Sequence, residues 1–218
     1  MNSHKLLKNL AITIAMSACL ATSFSAQAGT ITDLYNTSVS SIAGTQDQNY
    51  TVTDPDGFTN NGYTNQSPIP QYIANTSTSG WLTNSNNATE SFPTATYNWK
   101  TTFNLTGFNA ASASFSGQFA ADDTAIVYLN GTEIGQSDTA FSYASWTSFA
   151  SQPGLFVAGL NTLEFQVTNG GAGPTGLQVQ FLASSETAVS AVPEPESYAM
   201  LLTGLGLMGF MVRRRKTS

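Results

Sequence analysis

The stretch that decides the fold runs from Phe115 to Gly135 and reads FSGQFAADDTAIVYLNGTEIG. It begins with Phe or Gly alternating with polar residues, as far as Phe119, and TAIVYL follows two aspartates. Asn130-Gly131 then separates TAIVYL from the short run TEIG. Asn-Gly between two β-prone runs favours a type I′ hairpin, because both turn residues need φ > 0. The stretch therefore predicts a strand followed by a β-hairpin.

The period of two continues on both sides of this stretch. Aromatic or apolar residues alternate with polar ones in the runs that begin at Tyr97, Leu163 and Leu177, which is typical of half-buried strands. Trp99 lies on the apolar phase of the first run and is predicted to be core. Asp54-Pro55-Asp56-Gly57 reads as a type I turn. Short strands separated by turn signals predict an all-β sandwich.

Composition excludes several kinds of site. The single Cys and the single His lie within the first 19 residues, and Lys100 is the only basic residue from Gly29 to Val192. Eleven acidic residues give that stretch a formal charge of −10. A nucleic-acid partner is therefore not expected, and neither are disulfides, His- or Cys-dependent catalysis, or zinc sites. Oxygen-ligated ions such as calcium remain compatible with the composition.

The first 28 residues have the order of a secretory signal peptide. Two lysines precede an apolar run from Leu10 to Leu20, and Ala26-Gln27-Ala28 supplies the small residues that a signal peptidase reads. Cleavage by signal peptidase after Ala28 would leave Gly29 as the new N-terminus. The alternative, a membrane-spanning N-terminal helix, requires a longer apolar run, of roughly 20 residues.

The last 27 residues form a second composite signal. Pro193-Glu194-Pro195 is followed by an uncharged run at residues 198–212 and then by Arg213, Arg214, Arg215 and Lys216. As a helix the run is about 22 Å long, at ~1.5 Å per residue, so that it can span a thinned bilayer. The basic cluster would then stay in the cytoplasm. We predict an inner-membrane-anchored precursor whose residues 29–191 form the exported domain.

These three parts in this order resemble the PEP-CTERM sorting signal of Gram-negative bacteria. The resemblance implies recognition of the tail by an exosortase, a membrane transpeptidase, and removal of the tail. It also implies export to the cell surface or extracellular matrix in an organism that makes exopolysaccharide. A plain C-terminal anchor that carries Pro-Glu-Pro by chance is the alternative.

The exported domain carries a second resemblance. FSGQFAADDTAIVYLNGTEIG, followed by GLNTLEFQVTN and GLQVQFLA, is similar to the later strands of galactose-binding-like jelly rolls. The similarity covers about residues 97–183. Many members of that fold bind carbohydrate and many only support another domain, so the fold does not by itself assign a function.

Four residues are candidates for a ligand site. Asp122 and Asp123 can ligate calcium or hydrogen-bond sugar hydroxyls, or they can close the turn by accepting from backbone N–H groups. Trp81 and Trp146 lie among Asn, Ser and Thr residues and can stack on sugar rings, or they can belong to the core.

Three function classes remain open. The first is a non-catalytic protein that binds or scaffolds exopolysaccharide in a biofilm matrix. The second is a structural spacer without a ligand. The third is a carboxylate-based glycoside hydrolase, which needs two carboxyl groups roughly 5–10 Å apart across a cleft. The absence of the usual general bases and nucleophile activators favours a protein that is not an enzyme.

Overall fold

The computed structural model describes residues 28–38, 42–65, 69–188 and 201–208. The chain divides into two units, one of which comprises Gln27–Ala188. In the other unit, residues 201–208 are helical. The rest of the predicted helix at 198–212, the signal peptide as far as Gln27, and the motif residues Pro193, Glu194, Pro195, Arg213, Arg214 and Arg215 lie outside the described residues. In the described ranges, no helix has the length and apolarity needed to cross a bilayer.

The Gln27–Ala188 unit is built from antiparallel strands. In the described part of the chain there are eleven: β1 (Ala28–Gly29), β2 (Gln46–Thr53), β3 (Thr59–Asn65), β4 (Trp81–Thr83), β5 (Ala95–Asn104), β6 (Ser114–Asp122), β7 (Thr124–Leu129), β8 (Thr132–Gln136), β9 (Thr147–Ala150), β10 (Leu160–Asn169) and β11 (Gly176–Thr187). Two short 3₁₀ turns, Ala110–Ser112 and Ser142–Ala144, interrupt the connections.

The strands follow the order β8-β7-β10-β5-β2-β3-β4-β11-β6-β9, and β1 pairs with β11. The sheet folds back on itself, because rings on strands that are distant in this order are in contact. Phe119 of β6 lies 5.9 Å from Phe165 of β10, and Phe103 of β5 lies 6.1 Å from Phe115 of β6, between ring centroids. The two layers thus form a β-sandwich, and the predicted all-β class is confirmed.

The core lies between the two layers and is rich in aromatic residues. Phe115 makes edge-on contacts with Phe103, Phe149, Phe156 and Phe181, at centroid distances of 5.6–6.1 Å. Such pairs combine large apolar burial with a favourable quadrupole geometry. Trp99 is fully buried, as predicted.

Both predicted turns are confirmed. Asn130 and Gly131 have φ of 50° and 83°, and Leu129 pairs with Thr132 across them. Asp54 Oδ1 accepts from the backbone N–H groups of Asp56 and Phe58, at 3.0 and 2.8 Å. Asp54 therefore closes a turn, because a short carboxylate can satisfy nearby donors of its own loop.

Candidate functional site

Several connections meet at one end of the sandwich. β2, β4, β6, β8 and β10 end there, and β3, β5, β7, β9 and β11 begin there. The connections at this end are residues 54–58, 84–94, 123, 137–146 and 170–175. Because β6 ends at Asp122 and β7 begins at Thr124, both predicted aspartates lie at this loop-bearing end.

The backbone around the two aspartates is held by hydrogen bonds to neighbouring loops. The Asp122 carbonyl accepts from the Thr175 hydroxyl at 2.8 Å, and the Asp123 N–H donates to the Thr168 carbonyl at 2.8 Å. The Asp123 carbonyl accepts from the Ser142 N–H at 2.8 Å. The peptide bond between the aspartates is cis.

The carboxyl groups have different partners. Asp122 is buried, and its Oδ2 accepts a hydrogen bond from the Tyr72 hydroxyl. Asp123 is half-buried, and its Oδ2 accepts from the Gly170 N–H at 2.7 Å. Asp123 therefore ties the turn between β6 and β7 to the neighbouring connection 170–175.

Burial sets the ionisation of Asp122. It raises the pKa of Asp122 to about 7; the Tyr72 hydrogen bond lowers that pKa, and the adjacent Asp123 carboxyl raises it. Burial, and then the hydrogen bond to Asp122, raises the pKa of Tyr72 above its ordinary value. Near neutral pH the Asp122 carboxyl can therefore carry a proton.

A small aromatic cluster lies next to the aspartates. Tyr72 packs against Trp81 at 4.3 Å and is stacked on Tyr143 at 5.4 Å, between ring centroids. Tyr143 and Trp146 are half-buried at the margin of this cluster. The cluster forms an aromatic floor at the loop-bearing end that is separate from the main core.

The stacking prediction for Trp81 is wrong. Its side chain is fully buried, and its indole N–H donates to the Ile73 carbonyl at 2.9 Å. A ring enclosed on both faces has no free face for a sugar. Trp146 keeps a partly exposed side chain, and its stacking role remains a prediction.

A surface depression of about 360 Å³ opens beside this cluster. Its lining combines Tyr72, Tyr143, Asp122 and Asp123 with Gln71 and the glycine-rich connection 171–174. It therefore offers a partly exposed aromatic ring, a carboxylate and an amide on one concave surface. These are groups that recognise sugars by stacking and by hydrogen bonds to hydroxyls.

A second depression, of about 350 Å³, lies at the same end and includes Asp54, Asp56 and the exposed ring of Phe58. Phe92 lines the second depression and Gly173 lines the first. These two residues form an antiparallel bridge that Asn169 supports by donating to the Phe92 carbonyl at 3.0 Å. The two depressions thus share one wall.

The spacing of Asp122 and Asp123 does not suit glycoside hydrolysis. The two residues are adjacent in the chain and their carboxyl groups are near enough for Asp123 to raise the pKa of Asp122, whereas retaining and inverting enzymes place theirs on opposite sides of a cleft, roughly 5–10 Å apart. No three Asp, Glu, His or Cys side chains in the described ranges are grouped closely enough to hold a metal ion. Calcium binding at Asp122 and Asp123 stays a prediction.

Sequence reasoning missed Tyr72, Tyr143 and Gln71 as site residues. Gln71 and Tyr72 lie in a long connection before β4, and Tyr143 lies in a 3₁₀ turn. The only local signal is the position of Tyr143 three residues before Trp146, in FSYASW. No local pattern indicates that Tyr72 will hydrogen-bond to Asp122, which follows it by 50 residues.

Comparison with known proteins gives one sequence match. Residues 191–216 match the PEP-CTERM protein-sorting motif. The chain therefore carries this motif, as predicted, and the motif implies processing by an exosortase. No curated protein matches the sequence.

Solved structures that resemble the chain include three carbohydrate-binding modules. One is a family 35 module from an environmental isolate, with 19% identity and a TM-score of 0.27, covering 59% of this chain and 90% of that one. A CBM35 from Paenibacillus barcinonensis has 17% identity and a TM-score of 0.30, with coverages of 61% and 93%. The CBM35 from Cellvibrio japonicus Abf62 has 15% identity and a TM-score of 0.27, with coverages of 63% and 95%.

Proposed function

We propose that this chain is an exported, exosortase-sorted protein whose sandwich binds neutral polysaccharide without catalysing its breakdown. The observation that carries the binding role is the depression beside Asp123, where the half-buried Tyr143 ring, a carboxylate and the Gln71 amide converge. A sugar ring can lie on Tyr143 while its hydroxyls bond to Asp123 and Gln71.

Charge favours a neutral ligand. Lys100 is the only basic side chain between Gly29 and Val192, and it pairs with Glu164 at 3.2 Å. A polyanionic glycan would meet an acidic domain without a free side-chain cation, so we expect repulsion. Because two depressions share a wall, a polymer that extends across both is a better candidate than a monosaccharide. Scaffolding of exopolysaccharide in a biofilm matrix is the role that we propose for such binding.

The route out of the cell follows from the two ends of the chain. We propose that signal peptidase cleaves after Ala28, that residues 198–212 hold the precursor in the inner membrane, and that an exosortase then removes the tail. Export to the surface or matrix would place the acidic, thiol-free domain among polysaccharides. The galactose-binding-like jelly roll is the topology that we propose for the sandwich.

The test is binding of the signal-cleaved protein to an array of immobilised neutral and acidic bacterial and plant polysaccharides, with and without calcium. Tyr143→Ala should weaken retention about tenfold or more, since it removes the stacking surface. Tyr128→Ala is the matched control, because Tyr128 is also half-buried but lies near the opposite end of β7. Equal retention by both variants, or binding to no neutral polysaccharide, would contradict the proposal. Binding that requires calcium, and that Asp123→Asn abolishes, would support the calcium prediction.

The same assay can also test for catalysis, by measuring the release of reducing ends from the retained polysaccharides. We expect no release of reducing ends from any polysaccharide that is retained. Release that a single Asp or Glu substitution abolishes would support the hydrolase alternative.

A further inference from the structure

The first and last strands of the sandwich meet at a buried carboxylate. β1 pairs with β11 so that Gly29 lies opposite Glu186 and Ala28 lies opposite Thr187. Glu186 is only 2% exposed, and among the described residues its Oε2 has no hydrogen-bond partner. Leaving a buried carboxylate oxygen without a donor costs free energy, so the missing donor requires an explanation.

Within residues 28–188, as far as the structure describes them, no side-chain cation pairs with Glu186. Lys100, the one basic residue from Gly29 to Val192, pairs with Glu164 where β5 lies against β10. Burial, followed by the like charge of Asp33, raises the pKa of Glu186. Glu186 and Asp33 are therefore two acidic groups with no cationic side chain beside them in the described part of the domain.

Strand geometry brings one particular nitrogen close to this site. Directly opposite residues of antiparallel strands have Cα atoms about 4.5–5.5 Å apart and direct their side chains to the same face. The Glu186 side chain therefore lies on the face of the sheet where a side chain at position 29 would lie, and Gly29 has none. A Cβ built on Gly29 meets nothing within 4 Å, so the space beside its backbone is open.

We propose that Glu186, assisted by Asp33, binds the α-ammonium group of Gly29 that removal of the signal peptide creates. This rests on cleavage after Ala28, a part of the proposed function. Water hydrolyses the Ala28–Gly29 amide; the carboxylate stays on Ala28 and leaves with the signal peptide, and the Gly29 nitrogen takes up protons to become an ammonium. The precursor nitrogen is an uncharged amide with one N–H, whereas the product is a cation with three donors.

Cleavage of the signal peptide thus creates a cation, the Gly29 α-ammonium, in a domain whose only basic side chain is Lys100. In the processed protein the charge-assisted hydrogen bond ties the new N-terminus to β11. An ammonium beside two carboxylates gives up its proton less readily than an exposed α-amino group, whose pKa is ordinarily about 7.7–8.0. The reactivity of the N-terminus as a function of pH therefore reports the contact directly.

The experiment uses the signal-cleaved full chain, purified with its tail from a host that lacks an exosortase. N-terminal sequencing establishes where it begins. Limited acetylation between pH 6 and 10, followed by mass spectrometry of the N-terminal peptide, gives the pKa of the α-amine. We expect a value above the ordinary range, so that at pH 7.5 the amine reacts about fivefold more slowly than in Glu186→Gln.

Two further variants control the comparison. Asp33→Asn should give an intermediate rate, because it removes the more exposed of the two charges. Glu133→Gln, which removes an exposed carboxylate in β8, should leave the native rate unchanged. Circular dichroism establishes that each variant keeps its β-structure.

An ordinary α-amine pKa in the unmodified protein would overturn the proposal, even if Glu186→Gln failed to fold. A rate that Glu186→Gln leaves unchanged, or an N-terminus other than Gly29, would also overturn it. Polysaccharide binding is measured separately at the other site, so failure there would leave this result intact.

Discussion

The Tyr72 hydroxyl donates its hydrogen bond to Oδ2 of Asp122, a carboxylate that follows it by 50 residues and is almost completely buried. This contact joins the long connection before β4 to the last residue of β6. It partly offsets the effect of burial on the pKa of Asp122, and it positions the ring on which Tyr143 is stacked.

Removing this hydroxyl should destabilise the domain. Tyr72→Phe keeps the ring contacts but leaves the buried Asp122 oxygen without its donor, so we expect a loss of about 1–3 kcal/mol in the free energy of unfolding. Urea denaturation measures it. Tyr63→Phe is the control, since the Tyr63 hydroxyl meets only an exposed Gln46 amide, at 3.3 Å, and should change stability by less than about 0.5 kcal/mol. Equal losses would argue against a special role for the Tyr72 contact.

The stability of the domain should depend on pH through Asp122. Its pKa is raised to about 7 from 3.8, so folding takes up a proton there between these values. The resulting contribution to stability is complete below about pH 4 and is lost as the pH rises through about 7.

Asp122→Asn should remove this loss. Asn cannot ionise and still accepts from Tyr72, so the variant should be on the order of 1–2 kcal/mol more stable than the unmodified protein at pH 8. Thermal melts from pH 5 to pH 8 measure the slope. Asp138→Asn, at an exposed position, should keep the native slope. A native slope in Asp122→Asn would show that Asp122 is ionised throughout this range.

The hairpin should be sensitive to backbone conformation at Gly131. Its φ is +83° and a Cβ built there meets nothing within 4 Å, so Gly131→Ala should cost about 1–2 kcal/mol through backbone strain alone. Gly171→Ala is the matched control, because Gly171 also has open space but no positive φ. Equilibrium denaturation gives the free energy of unfolding of the two variants. A Gly131→Ala variant as stable as the unmodified protein would contradict the type I′ geometry.

The phenylalanine core should be sensitive to truncation at its centre. Phe115→Ala would leave a cavity where four other phenylalanine rings now touch it, with an expected cost of about 3–5 kcal/mol. Phe58→Ala removes a ring that is 71% exposed and should cost less than about 0.5 kcal/mol. Denaturant midpoints distinguish the two. A small effect of Phe115→Ala would mean that the layers do not pack through this cluster.

The sorting tail should depend on Pro193-Glu194-Pro195. Changing these three residues to Ala should leave the protein unprocessed and membrane-held in a host with an exosortase, because the Pro-Glu-Pro part of the sorting motif is lost. Fractionation and intact mass measure this outcome. Pro153→Ala, in an exposed loop, should be processed normally. Unchanged mass and location of the triple variant would exclude recognition of this segment.

Local patterns were sufficient for the strands and turns. The period of two around Trp99 and Phe165 predicts half-buried strands, and both side chains are indeed fully buried. Asn130-Gly131 predicts the hairpin because its φ requirement is a property of two adjacent residues. The composition of the tail similarly sufficed for the PEP-CTERM motif, which is a linear signal.

Only the tertiary structure decided which polar and aromatic residues form a site. Trp81 and Trp146 have similar sequence surroundings, yet one is enclosed at the floor of the aromatic cluster and the other lies at its margin. A side-chain hydrogen bond joins Tyr72 to Asp122, and a strand pairing places Gly29 opposite Glu186, so that both contacts join distant parts of the chain. Exposure and pKa depend on these long-range neighbours, because desolvation and charge act through space. The sequence by itself thus determined the strands, the turns and the sorting signal, and folding determined the site that they carry.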